Sequence, residues 1–177
     1  MLSGFEKPTY VGIVFDIDDF KTNSDSALKQ IKEMLVTFAN KIGIYARIFV
    51  GGNEHLPKSH GQSIAQIMNY KIPRDNNNIS DNFSDCVNGI GNQEDCKKYV
   101  IVLTNRFENN NIFNYKKGLM LNGFRNYDCE IIFFEIRRHN KNLMDLVEQH
   151  NQKYFFIEDI SIFQNYLKEI LTEIGYG

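Results

Sequence analysis

The feature that most constrains this chain is a continuous apolar and aromatic run at residues 10–15, followed at once by the acidic sequence DIDD at residues 16–19. A run without alternation of apolar and polar side chains is typical of a strand buried on both faces, as in a parallel sheet. Beyond it, residues 24–42 carry apolar side chains at steps of three and four, which predicts an amphipathic helix. This order predicts the beginning of an α/β fold.

The rest of the chain continues the alternation of apolar strands with amphipathic helices. Further strands are predicted at residues 45–50, 99–103, 130–136 and 154–157, and further helices at 62–70, 80–90, 113–124, 143–147 and 163–174. Strands that are joined by helices need right-handed crossovers and give a parallel sheet covered on both faces. Residues 1–177 are therefore predicted to form a single three-layer α/β/α domain with a mainly parallel sheet. We expect the strand order 3-2-1-4-5, with the strand at residues 10–15 in the centre.

The composition argues against several classes of function. The 177 residues are 42% hydrophobic, which is enough for one buried core. The formal net charge of −2 gives no basic bias of the kind that nucleic-acid binding requires. No apolar stretch is long enough to span a membrane, and the first residues do not resemble a signal peptide. We therefore expect an intracellular or virion-internal protein that binds neither nucleic acid nor a membrane.

The three cysteines do not indicate a zinc site, because their number is odd and no two of them have C-x-x-C spacing. We expect Cys86, Cys96 and Cys129 to be buried free thiols, which pack as small apolar side chains. A disulfide between Cys86 and Cys96 would require an oxidising compartment.

The acidic loop places Asp16, Asp18 and Asp19 at the carboxyl end of a strand, where open α/β sheets bind their ligands. Three neighbouring carboxylates repel one another unless something offsets their charge. A divalent cation could do so, and so could Arg106 and Arg137, which also follow predicted strands. A solvated loop stabilised by the dipole of the next helix is a third explanation. The residues alone leave all three open.

The ordered set of elements resembles the von Willebrand factor A domain family over nearly the whole chain. Residues 13–20 lie where that family carries an Asp-x-Ser-x-Ser metal loop. Residues 99–105 resemble the strand that ends in a metal-associated Asp-Gly, and residues 143–171 resemble the closing strand and helix. The resemblance implies a three-layer fold and a module that binds a protein partner at the carboxyl ends of its strands.

Departures from the family's pattern bear on the metal site. Asp16 matches the family's first aspartate, but Asp18 and Phe20 replace the two serines, and Asn105 replaces a later aspartate. The edge hairpin that usually follows the second strand has no clear counterpart. If Mg²⁺ or another divalent cation binds, we expect Asp16 and Asp18 to supply the ligands, because alternate residues after a strand can converge on one side. The affinity should be modest, since Phe20 offers no oxygen and Asn105 no charge.

The same loop also resembles the first motif of haloacid-dehalogenase-type phosphatases, in which the first aspartate is the nucleophile and the second an acid and base. In this alternative, Asp16 would attack phosphorus beside a bound Mg²⁺. Phe20 opposes it, because the family has a small or hydroxyl residue there and a glycine-rich flap afterwards. The lysine of the family also has no clear match at a strand end.

We therefore predict a protein-interaction or assembly module rather than an enzyme. The loop lacks a convincing base, nucleophile partner or lysine around it. The carboxyl ends of parallel strands share one edge of the sheet, so the residues that follow them can form one surface. The predicted partner-binding residues are Asp19, Asn105, Arg106 and Arg137.

Overall fold

The computed structural model describes residues 7–17, 24–71, 79–105, 112–137 and 139–176. The strands are β1 (Thr9–Asp16), β2 (Ala46–Val50), β3 (Lys97–Thr104), β4 (Glu130–Ile136) and β5 (Lys153–Ile157). The helices are α1 (Ser24–Ile42), α2 (His60–Asn69), α3 (Ile79–Gly91), α4 (Ile112–Phe124), α5 (Lys141–Gln149) and α6 (Phe163–Glu173). Single 3₁₀ turns, Gly43–Tyr45 and Ile160–Ile162, follow α1 and precede α6.

All five strands pair in parallel in one sheet, in the order β2-β1-β3-β4-β5. The prediction of a parallel α/β/α fold is confirmed, and each predicted strand and helix lies close to its observed position. The predicted strand order, 3-2-1-4-5, is wrong. β1 is an internal strand between β2 and β3, but the middle of the sheet is β3.

At the β2 edge, where the predicted order would place a further strand, side chains of α2 contact the strand instead. The hydroxyl oxygen of Ser63 accepts the backbone N–H of Ile48 at 2.9 Å, and Oε1 of Gln66 accepts that of Val50 at 2.9 Å. Both acceptors lie on α2 and both donors on β2. The outward N–H groups of the edge strand are therefore satisfied by side chains, which also protects the edge from pairing with another chain.

The helices cover both faces of the sheet and enclose two apolar cores. On one face α1, α2 and α6 pack over side chains such as Ile13, Ile48 and Phe134. On the other face α3, α4 and α5 pack over Val14, Val102 and Phe133. Because successive side chains of a strand point to opposite faces, the unbroken apolar runs seen in the sequence supply both cores.

Local sequence signals account for the ends of several helices. Ser59 precedes α2 and its hydroxyl accepts the N–H of Gln62, and Asn140 precedes α5 and caps it through the N–H groups of Asn142 and Leu143. Gly43 follows α1 with φ +75°, a left-handed conformation that ends helices.

Candidate functional site

The strand order places the ligand crevice of the fold between β1 and β3. The chain leaves β1 toward β2 on one side and leaves β3 toward β4 on the other, so the connections diverge at the carboxyl ends of these two strands. Open parallel sheets bind ligands at such a divergence. Asp16 and Thr104 are direct partners in the register of β1 and β3, and both end their strands. The acidic loop therefore begins at the crevice, as the sequence predicted.

Asp16, Thr104 and Glu135 form a polar row across three adjacent strands. Thr104 is the register partner of Asp16 on β1 and of Glu135 on β4. Neighbouring strands lie about 5 Å apart, so the two acidic residues are separated by about 10 Å. All three residues are buried, and they share the face of the sheet that carries α3, α4 and α5.

The carboxylate of Asp16 is held by hydroxyl groups inside the protein. The residue is only 1% exposed, and its Oδ2 accepts hydrogen bonds from Oγ1 of Thr104 at 3.2 Å and from the hydroxyl of Tyr115 on α4. Its backbone carbonyl accepts the N–H of Asn105 at 3.3 Å. Hydrogen bonds to the charged form compensate for the removal of a carboxylate from water.

Glu135 is a second buried carboxylate that sequence reasoning did not select. Its Oε1 accepts the hydroxyl of Tyr154 at 2.5 Å and the backbone N–H of Asn140 at 2.7 Å. Burial, followed by the hydrogen bond to Glu135, raises the pKa of the Tyr154 hydroxyl well above its ordinary value. A signal was present, because Glu135 is the one charged residue in the apolar run at residues 131–136.

Arg137 follows β4 and lies near the end of β5. It is exposed, it has a left-handed φ of +62°, and its N–H donates to the carbonyl of Ile157 at 2.9 Å. Hydrogen bonds from Ser161, and to a smaller degree the charge of Arg137, lower the pKa of the Asp159 carboxyl below its ordinary value. Arg137 therefore lies beside an acidic residue, Asp159, which follows β5.

The structure brings together part of the predicted site. Asp16 ends β1, and Asn105 and Arg137 directly follow β3 and β4, so all three lie at the carboxyl ends of neighbouring strands. Asp18, Asp19 and Arg106 lie outside the described residues. The predicted roles of these residues stay predictions, but the sequence missed Tyr115 and Tyr154, whose hydroxyls hold the two buried carboxylates.

The described residues near Asp16 do not by themselves complete a ligand set for a divalent cation. Such an ion needs several oxygen ligands, whereas Oδ2 of Asp16 already accepts two hydroxyl protons. In the described part of the chain, no three His, Cys, Asp or Glu side chains gather where they could hold a metal ion. The predicted ligand pair of Asp16 and Asp18 stays a prediction, because Asp18 is not described.

The cysteines are free thiols, and their placement does not favour a nucleophilic role. Cys86 and Cys129 are buried, as predicted, whereas Cys96 is partly exposed. Burial raises the pKa of Cys86 strongly and that of Cys129 to about 12. Because the thiolate is the reactive form, such thiols are inert at neutral pH.

Comparison with known proteins shows the fold. No protein-family model and no curated protein matches the sequence. Among solved structures, the PilB minor pilin from Streptococcus sanguinis superposes with a TM-score of 0.71 at 10% identity, over 96% of this chain and 62% of the pilin. Proximal thread matrix protein 1 from the mussel byssus gives 0.61 at 10% identity, over 94% of this chain and 46% of that protein.

The N-terminal domain of TFIIH p34 gives a TM-score of 0.58 at 11% identity, and the match covers 91% of this chain and 96% of that domain. That domain has a von Willebrand factor A-like fold. None of the described helices combines the length and the apolar character needed to cross a membrane. The predicted fold class is thereby confirmed: the chain has a three-layer, von Willebrand factor A-like α/β/α fold.

Proposed function

We propose that this chain is a protein-interaction or assembly module that binds a protein partner through its carboxyl-end face, without a bound divalent cation. The carboxyl-end face comprises the described residues Asn105, Arg137, His139 and Phe156, together with the sequence-predicted residues Asp19 and Arg106. An intracellular location belongs to the same proposal.

The state of Asp16 is the observation that carries this proposal. A nucleophile or a metal ligand has to be reached by substrate or ion. The Asp16 side chain is instead buried and receives the hydroxyls of Thr104 and Tyr115 on the same oxygen. This arrangement supports a structural role, in which Asp16 ties the end of β1 to β3 and α4. The binding of a partner is then assigned to the exposed residues of the carboxyl-end face.

The exposed chemistry at the same edge suits a protein partner. Arg137 and His139 are exposed, and Phe156 keeps 38% of its surface exposed although it lies in β5. The ring of His139 contacts the rings of Tyr154 and Phe156 edge-on, with centroids 5.8 and 5.9 Å apart. Arginine and aromatic side chains are enriched in protein interfaces, and rings held by their neighbours lose little entropy on binding.

The structural neighbours add support of a general kind. They are, by name, a minor pilin, a thread matrix protein and a domain of TFIIH. Proteins with this fold thus include components of larger assemblies. Fold alone does not determine function, so the argument for binding rests on the exposed residues.

Affinity capture from an extract of the source cells tests the proposal. Arg137→Glu should abolish capture of partners that the wild type retains. Lys41→Glu is the matched control, because it makes the same charge change on an exposed residue at the end of α1, away from the carboxyl-end face. Equal capture by the wild type and Arg137→Glu would overturn the proposed face.

The alternative function, a Mg²⁺-dependent phosphatase with Asp16 as nucleophile, is tested separately. The pure protein is incubated with Mg²⁺ and an aryl phosphate, and Asp16→Asn serves as the inactive variant. We expect no turnover above the variant. If the wild type turns over the substrate and Asp16→Asn does not, although the circular dichroism of the variant is native, the protein is an enzyme and the proposal of a binding module is wrong.

A further inference from the structure

We infer that the outward face of α4 is a second docking surface, separate from the carboxyl-end face, and that it takes an acidic amphipathic helix of a protein partner. The α4 face consists of Phe113, Lys116, Lys117, Met120, Leu121 and Phe124.

The first observation is the exposure of large apolar side chains on this helix. Phe113 is 78% exposed, Met120 53% and Phe124 83%. In the described part of the chain, these are three of the five large apolar side chains that are more than half exposed, the other two being Ile44 and Met68. Spacings of seven and four place the three on one side of the helix. Clustered exposed apolar side chains mark binding surfaces.

The second observation is that α4 cannot turn this face inward. Tyr115 and Leu119, on the opposite side of the helix, are buried in the core that α4 shares with α3 and α5. The side chain of Asn122 donates to the carbonyl of Cys129 at 3.1 Å and accepts its N–H at 3.0 Å. These contacts fix the rotation of the helix, so the apolar face stays in solvent until a partner covers it.

The third observation is the charge of the surface. The sequence of α4 contains two lysines and no acidic residue. Lys116 and Lys117 are exposed, and neither forms a salt bridge with a described carboxylate. A partner helix with glutamates or aspartates beside its apolar stripe would pair with both lysines while its apolar side chains cover Phe113, Met120 and Phe124.

The same charges argue against a second copy of this chain as the occupant. A two-fold contact between α4 helices would place four lysines in one interface without a carboxylate from either helix. Like charges at an interface oppose association.

Fluorescence polarisation with designed peptides tests this inference. The probe is a labelled peptide of about 20 residues, with leucines at helical spacing and glutamates beside them. We expect saturable binding to the wild type. Phe113→Ser combined with Phe124→Ser should weaken it at least about tenfold, as loss of aromatic anchors does. Ile44→Ser, which removes another exposed apolar side chain, should leave it unchanged.

A charge exchange distinguishes specific charge pairing with the lysines from nonspecific apolar binding. Lys116→Glu with Lys117→Glu should abolish binding of the acidic peptide and create binding of the same peptide with lysines in place of glutamates. Lys29→Glu with Lys168→Glu is the matched control on exposed residues of α1 and α6. Circular dichroism melting confirms that each variant is folded.

Four outcomes would overturn the inference. The acidic peptide could fail to bind the wild type, or bind it equally well after both phenylalanines are replaced. Sedimentation could show a dimer that Phe113→Ser and Phe124→Ser dissolve, which would make the occupant a second copy. Co-sedimentation with vesicles of phosphatidylcholine and phosphatidylserine that depends on the two phenylalanines would make it a membrane surface.

Discussion

The hydroxyl of Tyr115 donates a hydrogen bond to the carboxylate of Asp16, although the two residues are 99 positions apart in the sequence. The bond joins α4 to the end of β1 at the point where the connections of the sheet diverge. It also fixes the inward side of α4, whose outward side carries Phe113 and Phe124. The same hydrogen bond therefore lies between the carboxyl end of β1 and the helix that carries the α4 face.

Tyr115→Phe should destabilise the fold by about 1–3 kcal/mol, because a buried carboxylate loses one of its hydroxyl donors. Urea denaturation measures the change. Tyr45→Phe is the control, since Tyr45 is partly buried and its hydroxyl has no hydrogen-bond partner among the described residues. We expect a change within about 0.5 kcal/mol for Tyr45→Phe. Equal effects of the two substitutions would contradict the role assigned to the Tyr115 hydroxyl.

Gly118→Ala should destabilise the protein by about 1–3 kcal/mol through overpacking. Gly118 lies where α4 approaches α3, and an added Cβ would meet Cε2 of Phe83 at 2.3 Å. Gly123→Ala on the same helix is the matched control, because its Cβ would have no atom within 4 Å. That variant should gain up to about 1 kcal/mol, since alanine favours a helix. Thermal or urea unfolding of both variants tests the opposite signs.

The sequence predicted the strands and helices because their apolar periods are local. Residues 10–15 and 99–103 are apolar without alternation, and a run of that kind indicates burial whatever its neighbours are. The order of the strands is not a local property. At one edge Ser63 and Gln66 of α2 bond the N–H groups of β2, and the sequence of a polar helix face does not reveal such a tertiary contact.

The candidate site was predictable only in part for the same reason. Asp16 stands out because it ends an apolar run, but its partner Tyr115 has the sequence context of an ordinary buried ring. Phe113 and Phe124 are the same type of residue as the buried Phe83 and Phe133, so residue type alone does not distinguish the exposed rings from the buried ones. Which side of α4 faces solvent follows only from how α3 and α5 pack against it.

The Asp159 carboxyl should contribute stability at neutral pH that is lost in acid. Its pKa is lowered from the ordinary value of 3.8 by hydrogen bonds from Ser161 and, less strongly, by Arg137. A carboxyl with a lowered folded-state pKa stabilises the fold above its unfolded pKa, and the contribution disappears as the pH falls through the folded value. Asp159→Asn should therefore be less stable than the wild type at about pH 7 and equally stable at about pH 2.

Urea unfolding at both pH values measures this difference, and Glu158→Gln is the control. Glu158 is the exposed neighbour of Asp159, so its substitution makes the same change in net charge without removing the carboxyl that caps the turn at Ser161. The control should lack the pH dependence. A difference between the wild type and Asp159→Asn that persists unchanged at low pH would show that the carboxylate charge is not its source.

Divalent cations should leave the thermal midpoint of the protein unchanged. The Asp16 side chain is buried and its Oδ2 accepts the hydroxyls of Thr104 and Tyr115, so an ion could use this oxygen only by entering the core and displacing those hydrogen bonds. An ion present at about ten times its dissociation constant would stabilise the fold by about 1.4 kcal/mol and raise the midpoint by about 3–6 °C for a chain of this size. Melts with millimolar Mg²⁺, Ca²⁺ or EDTA therefore have the sensitivity to detect it.

Asp16→Asn gives this measurement its control, because the amide cannot supply the charge that an ion requires. A rise in the wild-type midpoint that Asp16→Asn abolishes would establish Asp16, with Asp18 as its sequence-predicted partner, as a metal ligand. Partner binding at the carboxyl-end face would then involve an ion. If the midpoint does not respond to ions but falls in Arg137→Ala, the charge of arginine balances the acidic edge instead. Recognition at Asn105 and Arg137 would in that case depend on side chains alone.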